Sequence, residues 1–402
     1  MAKGPLEGIR VFFIGSTWAG PMCAALLSDM GAEVIRQETH ARIDAYRYLR
    51  SSDMTNPEGG PLFQDLNRNA LSVALNMSQP KARELARAII RISDVLLENN
   101  APTLLRGWGL DYPEVKESNP TIIMASMSGF GQNGPLALDR AYGPPLSSLS
   151  GIAALIGYEG EDPVGELYAY NDPVAGVTTF FAIMAALHYR AKTGKGQYID
   201  LSQWEAGSAL LGKEIMDYTM NGRVAACRGN RSMWMAPHGC YPCRGEDKWI
   251  TIACATEEEW RALCIITGNP QWMEDDRFAD LNSRLKNGEE VDKLITEWTS
   301  AHTDYEAMEI LQGAGVAALP VLTMAEMFTD PHALEEEYLV HVPHPYEPGA
   351  HSYNTPWKLS ETPGGISRHA PILGEHSEYV LCELCGIPKD EFAKLVDEKV
   401  VW

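Results

Sequence analysis

Short apolar runs alternate with amphipathic segments along the first half of the chain. The runs at 9–14 and 32–37 predict buried strands, and the small-residue segment between them predicts a helix over 20–30. The same patterns continue downstream. They predict strands at 70–75, 94–97, 121–126 and 198–201, and helices at 80–92, 172–192 and 203–220. This strand–helix–strand order predicts an α/β fold with a parallel sheet covered by helices on both faces.

The pattern changes after Asn221, which predicts a second domain. The segment that follows is richer in Trp, Cys and Glu, and its periodic runs are shorter. We therefore predict a large domain over 1–220, a smaller α+β domain over 221–318 and a C-terminal return to the large domain over 319–402. The apolar run at 316–321 is interpreted as the strand that re-enters the large domain.

Composition and charge exclude several classes of protein. The formal charge of −21 disfavours nucleic acid and anionic lipid as partners, because phosphate binding needs a surplus of Lys and Arg on one face. The longest apolar stretch, 180–187, is about half of what a membrane span needs. The N-terminal residues contain no apolar signal-peptide core. Eight cysteines without a secretory signal are typical of free thiols in a reducing compartment. We therefore predict a cytoplasmic protein without a membrane partner.

Two Cys-x-x-Cys pairs imitate a four-cysteine zinc site. One pair is Cys240 and Cys243, and the other is Cys382 and Cys385. The second pair lies in an amphipathic helical pattern, where small apolar residues are usually core, and the first lacks a nearby fourth ligand. We predict no metal, and the role of His238 beside the first pair stays open.

A glycine-rich motif at 129–134 matches the dinucleotide pattern G-x-G-x-x-G. A dinucleotide site needs a helix directly after the motif and an acidic residue roughly 20 positions later. Pro135 follows the motif instead, and residues 149–158 contain no acid. We interpret these glycines as a close backbone turn beside a ligand or another strand.

Eight short segments, in order and spread over nearly the whole chain, resemble one known family. They are Pro5-Leu-Glu-Gly-Ile-Arg-Val, Ala19-Gly-Pro, Gly31-Ala-Glu-Val-Ile, Asp94-Val-Leu-Leu-Glu-Asn, Ser126-Met-Ser-Gly-Phe-Gly-Gln-Asn-Gly-Pro, Asn171-Asp-Pro-Val-Ala-Gly, Arg190-Ala-Lys-Thr-Gly-Lys-Gly-Gln and Leu373-Gly-Glu-His. The chain resembles the class III CoA-transferases, such as formyl-CoA, carnitine and benzylsuccinate CoA-transferases, and the related α-methylacyl-CoA racemase. The resemblance implies a Rossmann-like large domain, a small domain and an interlocked dimer.

The family's nucleophile, an Asp at the start of a helix, matches Asp172. A carboxylate there attacks a thioester carbonyl to give a mixed anhydride, and returning CoA thiolate gives an aspartyl-CoA thioester. The backbone N–H groups of a helix N-terminus are expected to stabilise the developing oxyanions. The position of Asp172 alone favours a simple helix cap over a nucleophile, and it is the family motif around Asp172 that favours the nucleophile.

The family's CoA-binding residues can be assigned to positions of this chain where its motifs match. The resemblance implies that a CoA thioester is a substrate rather than a tightly bound cofactor. Its binding residues would be Trp18, Ala19, Leu75, Asn76, Asn99, Asn100, Ala101, Arg106, Arg140 and Tyr142. The phosphate-binding cation of relatives aligns with Gly107, so we assign that charge to Arg106, with Arg68 as a second choice. A plain surface arginine is the alternative.

Three functions compete on the sequence alone. The first is CoA transfer between an acyl-CoA and a free carboxylic acid, with succinyl-CoA as donor and a dicarboxylate such as benzylsuccinate as acceptor. The racemase branch needs a His base after the Gly-Phe-Gly motif, and the sequence has no histidine between His40 and His188. The third is a non-catalytic partner subunit. Accordingly, the assembly is predicted to be a homodimer or a heteromer with a homologous chain.

Overall fold

The chain forms two compact units in a computed structural model that describes residues 4–49, 51, 53–165 and 168–402. The first unit comprises 1–153, 166–223 and 332–402, and the second comprises 154–165 and 224–331. The sequence-based division at 220 and 318 remains a prediction about domains.

The first unit is built on a six-stranded parallel sheet with the order β3-β2-β1-β4-β5-β6. Its strands are β1 (Arg10–Ile14), β2 (Glu33–Glu38), β3 (Leu71–Ala74), β4 (Val95–Glu98), β5 (Ile123–Ser128) and β6 (Tyr198–Ser202). The remaining strands are β7 (His238–Pro242), β8 (Trp249–Ala253), β9 (Ala317–Pro320), β10 (Leu339–His341) and β11 (His351–Tyr353). The predicted α/β class is confirmed, and the strand order is that of a doubly wound sheet.

Helices connect these strands. They are α1 (Ala19–Asp29), α2 (Pro61–Leu66), α3 (Pro80–Arg91), α4 (Thr103–Trp108), α5 (Tyr112–Ser118), α6 (Gly143–Ser150), α7 (Asn171–Thr193), α8 (Gln203–Ser208), α9 (Gly212–Asn221), α10 (Glu257–Ile266), α11 (Leu281–Lys286), α12 (Gly288–Thr299), α13 (Asp304–Gly313), α14 (Met324–Met327), α15 (Pro331–Glu335) and α16 (Lys389–Asp397). Short helical turns lie at Ala45–Arg47, Ala153–Leu155, Ala209–Leu211, Pro270–Glu274 and Tyr379–Leu384.

Both faces of the parallel sheet are buried. Phe12 and Ile14 of β1 pack into a cluster with α3 and the C-terminal segment, and Phe13 packs into a second cluster with α1 and α7. Alternate residues of a strand point to opposite faces, so a strand buried on both sides reads as a continuous apolar run. This explains why the strands were visible in the sequence.

The polar segment 39–62 contains the turn Ala45–Arg47, where buried Arg47 forms ion pairs of 2.6 Å with both Glu38 and Glu58. A buried charge needs such partners, so this segment is anchored to the end of β2.

One predicted helix differs from the structure. The single helix predicted at 203–220 is divided into α8 and α9 by the turn Ala209–Leu211.

The second unit contains a three-stranded antiparallel sheet with the order β7-β8-β9. Its apolar core includes Ile250, Trp260 and Leu311. The run at 316–321 was predicted to re-enter the large domain, and this was wrong. It forms β9, which pairs with β8 inside the second unit. An apolar run shows that a strand is buried but not which sheet buries it.

Helix α7 is, among the described residues, the one helix whose length and composition would suffice to cross a membrane. It exceeds the apolar stretch considered in the sequence because it extends over 23 residues. One side of α7 is buried against α1, where Ala175, Thr179 and Ile183 are fully covered. Gly194, in the left-handed conformation with φ 72°, ends the helix.

Candidate active site

The order of the strands reverses between β1 and β4, and the loops after these two strands meet there. Asn99 Oδ1 accepts a hydrogen bond of 3.1 Å from Ser16 N–H, and Asn99 Nδ2 donates one of 2.9 Å to Ser16 O. In open α/β sheets, ligands bind in the crevice outside the carboxyl ends of the strands at such a switch point. The amide of Asn99 therefore fixes the backbone where a ligand is expected.

Two glycines permit this close approach. A Cβ atom would lie 1.8 Å from Asn99 Oδ1 at Gly15, and 2.5 Å from the same oxygen at Gly20. No side chain fits at such distances. Trp18 and Ala19, two of the predicted CoA contacts, lie between these glycines at the start of α1. Hence the Ala-Gly-Pro motif seen in the sequence lies directly at the switch point.

Glu98 ends β4 at the same crevice. Its carboxylate accepts a hydrogen bond of 2.8 Å from Asn100 N–H, and Asn100 Nδ2 donates one of 2.8 Å to Ile14 O. Burial raises the pKa of Glu98 to about 7, although hydrogen bonds from Asn100 and Ser126 oppose the shift. The Asn100 side chain thus ties the two loops together, beside a carboxyl group whose pKa burial raises to about 7.

Asp172 lies in the first turn of α7, which begins at Asn171, one residue earlier than predicted. Asn171, which is fully buried, anchors this turn: its Oδ1 accepts a 3.0 Å hydrogen bond from Ser147 Oγ, and its Nδ2 donates one of 3.2 Å to Gln203 O. The helix start is therefore attached to both α6 and α8. A rigid support of this kind is what a reacting side chain requires.

The backbone N–H groups in the first turn of α7 were expected to be free to bind an oxyanion, but two of them donate to backbone carbonyls of the chain. Asp172 N–H donates to Ala169 O at 2.9 Å, and Val174 N–H donates to Tyr170 O at 3.1 Å. Pro173 between them has no N–H. The N–H groups of Asp172 and Val174 are therefore already bonded within the chain, and the helix dipole still favours negative charge at this turn.

Tyr46 connects Asp172 with the switch point. Asp44 accepts hydrogen bonds from Tyr46 N–H at 2.9 Å and from Thr17 N–H at 3.3 Å, which joins the turn at 45–47 to the loop after β1. Burial, and then the charges of Asp172 and Asp44, raise the pKa of the Tyr46 phenol. Tyr46 thus lies within the electrostatic reach of Asp172.

Helices α6 and α1 approach Asp172 and its helix closely. A Cβ atom at Gly143 would lie 2.7 Å from Asp172 Oδ2 and 2.0 Å from Ala169 Cβ. On α7, a Cβ atom at Gly176 would lie 3.0 Å from Ala19 O. Asp172 is consequently close to the first residue of α6, and its helix packs on α1, whose start lies at the switch point.

The other predicted contacts are more dispersed. Leu75 and Asn76 follow β3, where Asn76 N–H donates to Val400 O at 2.9 Å and its Nδ2 donates to Lys399 O at 3.3 Å. β3 is two strands from β1, so these residues lie about 10 Å from the switch point along the sheet. Their hydrogen bonds hold the C-terminal segment. Ala101 follows Asn99 and Asn100 and is exposed.

The predicted cations differ sharply in exposure. The Arg106 side chain on α4 is 75% exposed, and its Nε lies 3.8 Å from Asp111 Oδ2. Arg140 and Tyr142, which precede α6, are also exposed. Arg68 was the second choice for the phosphate, and this is wrong: its side chain is 1% exposed and pairs with Asp29 at 2.7 Å. Arg106 and Arg140 therefore remain available to an anionic ligand.

The His238 segment is part of a strand rather than a metal loop. His238 begins β7, and its Nδ1 lies 2.5 Å from Asn230 O. Among the residues that the structure describes, no group of three or more His, Cys, Asp and Glu side chains has an arrangement that could hold a metal ion.

Sequence reasoning missed Tyr46, Asp44 and Gly143. The role of each depends on a residue that is distant in the sequence, so no local sequence pattern indicated it. Glu98 had a signal that was overlooked: a carboxylate at the carboxyl end of a wholly apolar strand, beside a matched Asn99.

Residues 6–377 match the family model described as CoA-transferase family III. The chain belongs to CoA-transferase family III. It is 31% identical over 99% of its length to the succinyl-CoA–D-citramalate CoA-transferase of Chloroflexus aurantiacus, covering 98% of that protein. It is equally 31% identical to the succinyl-CoA–L-malate CoA-transferase beta subunit of the same organism, over 99% of this chain and 98% of that one.

A crystal structure of a CAIB/BAIF family protein from Brucella suis has the same fold as this family III chain. The TM-score is 0.86 at 29% identity, over 95% of this chain and all (100%) of the other. The resemblance inferred from eight short motifs is thus confirmed, and the protein is a CoA-transferase that uses CoA thioesters as substrates.

Proposed function

We propose that this family III CoA-transferase moves CoA from succinyl-CoA to a dicarboxylic acid, with Asp172 as the covalent nucleophile. The position of Asp172 carries the proposal: it lies in the anchored first turn of α7, and α7 packs on the helix that begins at the switch point. The acids in the relatives' names, citramalate and malate, are short dicarboxylates, and succinyl-CoA is the partner named with each.

The reaction is balanced without an oxidant or a metal. The Asp172 carboxylate attacks the succinyl thioester carbonyl, forming a mixed anhydride and releasing CoA thiolate. The thiolate attacks the aspartyl carbonyl, releasing succinate and leaving an aspartyl-CoA thioester. The acceptor carboxylate then attacks this thioester and expels the thiolate. Attack of the thiolate on the acceptor carbonyl finally gives the new acyl-CoA and restores Asp172.

The CoA-binding surface proposed for these steps lies at the switch point between β1 and β4. Trp18, Ala19, Asn99 and Asn100 would contact CoA, and exposed Arg106 and Arg140 would face its phosphates, since arginine forms paired hydrogen bonds with phosphate oxygens. Leu75, Asn76, Ala101 and Tyr142 are retained as secondary contacts. Benzylsuccinate is kept as one acceptor to be tested beside malate and citramalate.

We also propose a cytoplasmic enzyme that works as an interlocked dimer. The partner is a second copy or a homologous chain. One relative is named as a beta subunit, which supports the heteromeric alternative.

Substitution Asp172→Asn tests the nucleophile. We expect turnover to fall by more than about a thousandfold, because the amide cannot form the anhydride. In the wild type, hydroxylamine added during turnover should convert the activated aspartyl group to a hydroxamate, located by peptide mapping at position 172.

The matched control is Asp390→Asn, which removes an exposed carboxylate from the first turn of another helix, α16. It should retain normal turnover. A hydroxamate at another residue, or near-normal turnover of Asp172→Asn with an unchanged unfolding temperature, would show that the nucleophile is assigned wrongly.

A further inference from the structure

The second unit contains a cavity of about 460 Å³ that the reaction scheme does not use. Its walls come from the segment 226–238 and from the junction of α11 and α12. Part of the wall is apolar, with Met233, Met235 and Leu285. Pockets for small organic ligands have about 300–1,000 Å³ and combine apolar walls with a few converging polar groups. The size suits a small acid better than a whole CoA molecule.

Three arginines line this cavity, although the chain as a whole carries a charge of −21. The buried one, Arg284, is held by Glu257, with Nη1 and Oε2 separated by 3.0 Å, and by Ala236 O, which accepts from its Nε at 2.9 Å. Its guanidinium lies 5.0 Å from the Trp260 ring centroid. Arg284 is therefore a fixed part of the wall whose charge Glu257 largely offsets.

The other two arginines are more available. Arg231 donates to Asp292 Oδ2 at 3.0 Å, and its side chain remains 41% exposed. Gly288 leaves room for it, since a Cβ atom there would lie 2.4 Å from Arg231 Nη1. Arg228 is exposed and forms no ion pair within the part of the chain that the structure describes. Arg228 thus adds a positive charge to the cavity that nothing described neutralises.

Asp292 is the acidic group facing these arginines. Its Oδ1 accepts a hydrogen bond of 2.9 Å from Tyr241 Oη, and its Oδ2 accepts from Arg231. Both oxygens are already bonded, so Asp292 orients Arg231 rather than repelling an anion strongly. Glu159 also lines the cavity.

We propose that this cavity binds a small dicarboxylic acid with an apolar body, through one carboxylate held by Arg228 and Arg231. The inference goes beyond the proposed function, because it assigns a site within the second unit and does not place this acid at Asp172. Arginine matches a carboxylate through two parallel hydrogen bonds, and the methionines and Leu285 would contact the carbon skeleton. Phosphate groups of CoA share this anionic chemistry, and the experiment separates the two ligands.

Calorimetric titration of the full-length protein with benzylsuccinate, malate and citramalate, and separately with CoA, tests this site. We expect the wild type to bind at least one acid. Arg228→Met should weaken binding of that acid about tenfold or more while leaving CoA binding unchanged. Asp292→Asn should tighten acid binding, because it frees Arg231. The control Arg261→Met removes an exposed arginine of α10 outside the cavity and should change neither ligand.

Three results would overturn the inference: no acid bound by the wild type, equal acid affinity in the wild type and Arg228→Met, or loss of CoA rather than acid affinity in that variant. Thermal unfolding of each variant checks its fold. The proposed function fails separately. If the acids bind at Arg228 but no hydroxamate forms at position 172, the nucleophile is wrong and the cavity assignment stands.

Discussion

Single residues at the switch point combine structural and electrostatic roles. Glu98 is 2% exposed, yet it accepts two hydrogen bonds from Asn100, which in turn binds the end of β1. Burial of a carboxyl group favours its neutral form, and here this effect outweighs the hydrogen bonds that favour the charged form. Glu98, which holds the residue that joins the two loops, is consequently sensitive to pH.

Substitution Glu98→Gln should remove a pH-dependent loss of stability. The folded-state pKa of about 7 lies above the ordinary 4.5, so the unfolded chain ionises first as the pH rises. The unfolded state then binds fewer protons than the folded state, and the wild type loses stability through this window. Relative to Glu98→Gln, we expect a loss on the order of 3 kcal/mol from about pH 5 to about pH 8.

Urea unfolding at several pH values measures this difference. Glu391→Gln, an exposed carboxylate in the first turn of α16, is the control and should follow the wild type. Parallel pH profiles for the wild type and Glu98→Gln would show that Glu98 ionises normally in the folded protein.

At the scale of elements, three helices hold α7 and thereby fix the position of Asp172. α7 carries it, α8 and α6 bind Asn171 beside it, and α1 packs against α7 through Gly176. Through these contacts, the Asp172 side chain is carried by a rigid framework of packed helices. A displacement of about 1 Å in such a framework can cost up to about a hundredfold in rate.

Substitution Gly143→Ala tests the contact between α6 and α7. The added Cβ atom would lie 2.0 Å from Ala169 Cβ and 2.7 Å from Asp172 Oδ2, so these groups must move. We expect kcat to fall by about tenfold to a hundredfold, while KM for the CoA thioester changes by less than about threefold. Steady-state kinetics with succinyl-CoA provide the measurement.

The control is Gly212→Ala at the first residue of α9, where a Cβ atom meets nothing within 4 Å. It should leave kcat unchanged. An equally active Gly143→Ala would mean that α6 does not constrain the Asp172 carboxylate.

At the scale of the whole molecule, the outer side of α7 is the most unusual feature. Val177, Phe181 and Tyr189 are large, apolar and 48%, 73% and 45% exposed, at spacings of four and eight residues that place them on one face. On α9, Ile215 and Met216 are also at least half exposed. Large apolar side chains grouped on an exposed helix face are typical of a protein interface, since exposing them to water is costly.

We therefore expect Phe181→Glu to weaken the proposed dimer. Light scattering after size-exclusion chromatography should give twice 44.3 kDa for the wild type and a lower mass for the variant. The charged side chain would have to be buried without a partner at the interface. A monomeric wild type at about ten micromolar, where an interface of standard size is normally formed, would contradict the proposal.

The sequence by itself determined the local and the chemical parts of this protein. Apolar runs marked the strands because both faces of the sheet are buried, and short motifs identified the family and placed Asp172 at a helix start. Tertiary structure alone decided which strands are neighbours. It placed the run at 316–321 in the second unit, and it buried Arg68 beneath Asp29. It also brought Tyr46 and Gly143 to Asp172 from distant positions. The physical reason is that burial and periodicity are recorded within a segment, whereas pairing, ion-pair partners and close approach depend on atoms far away in the chain.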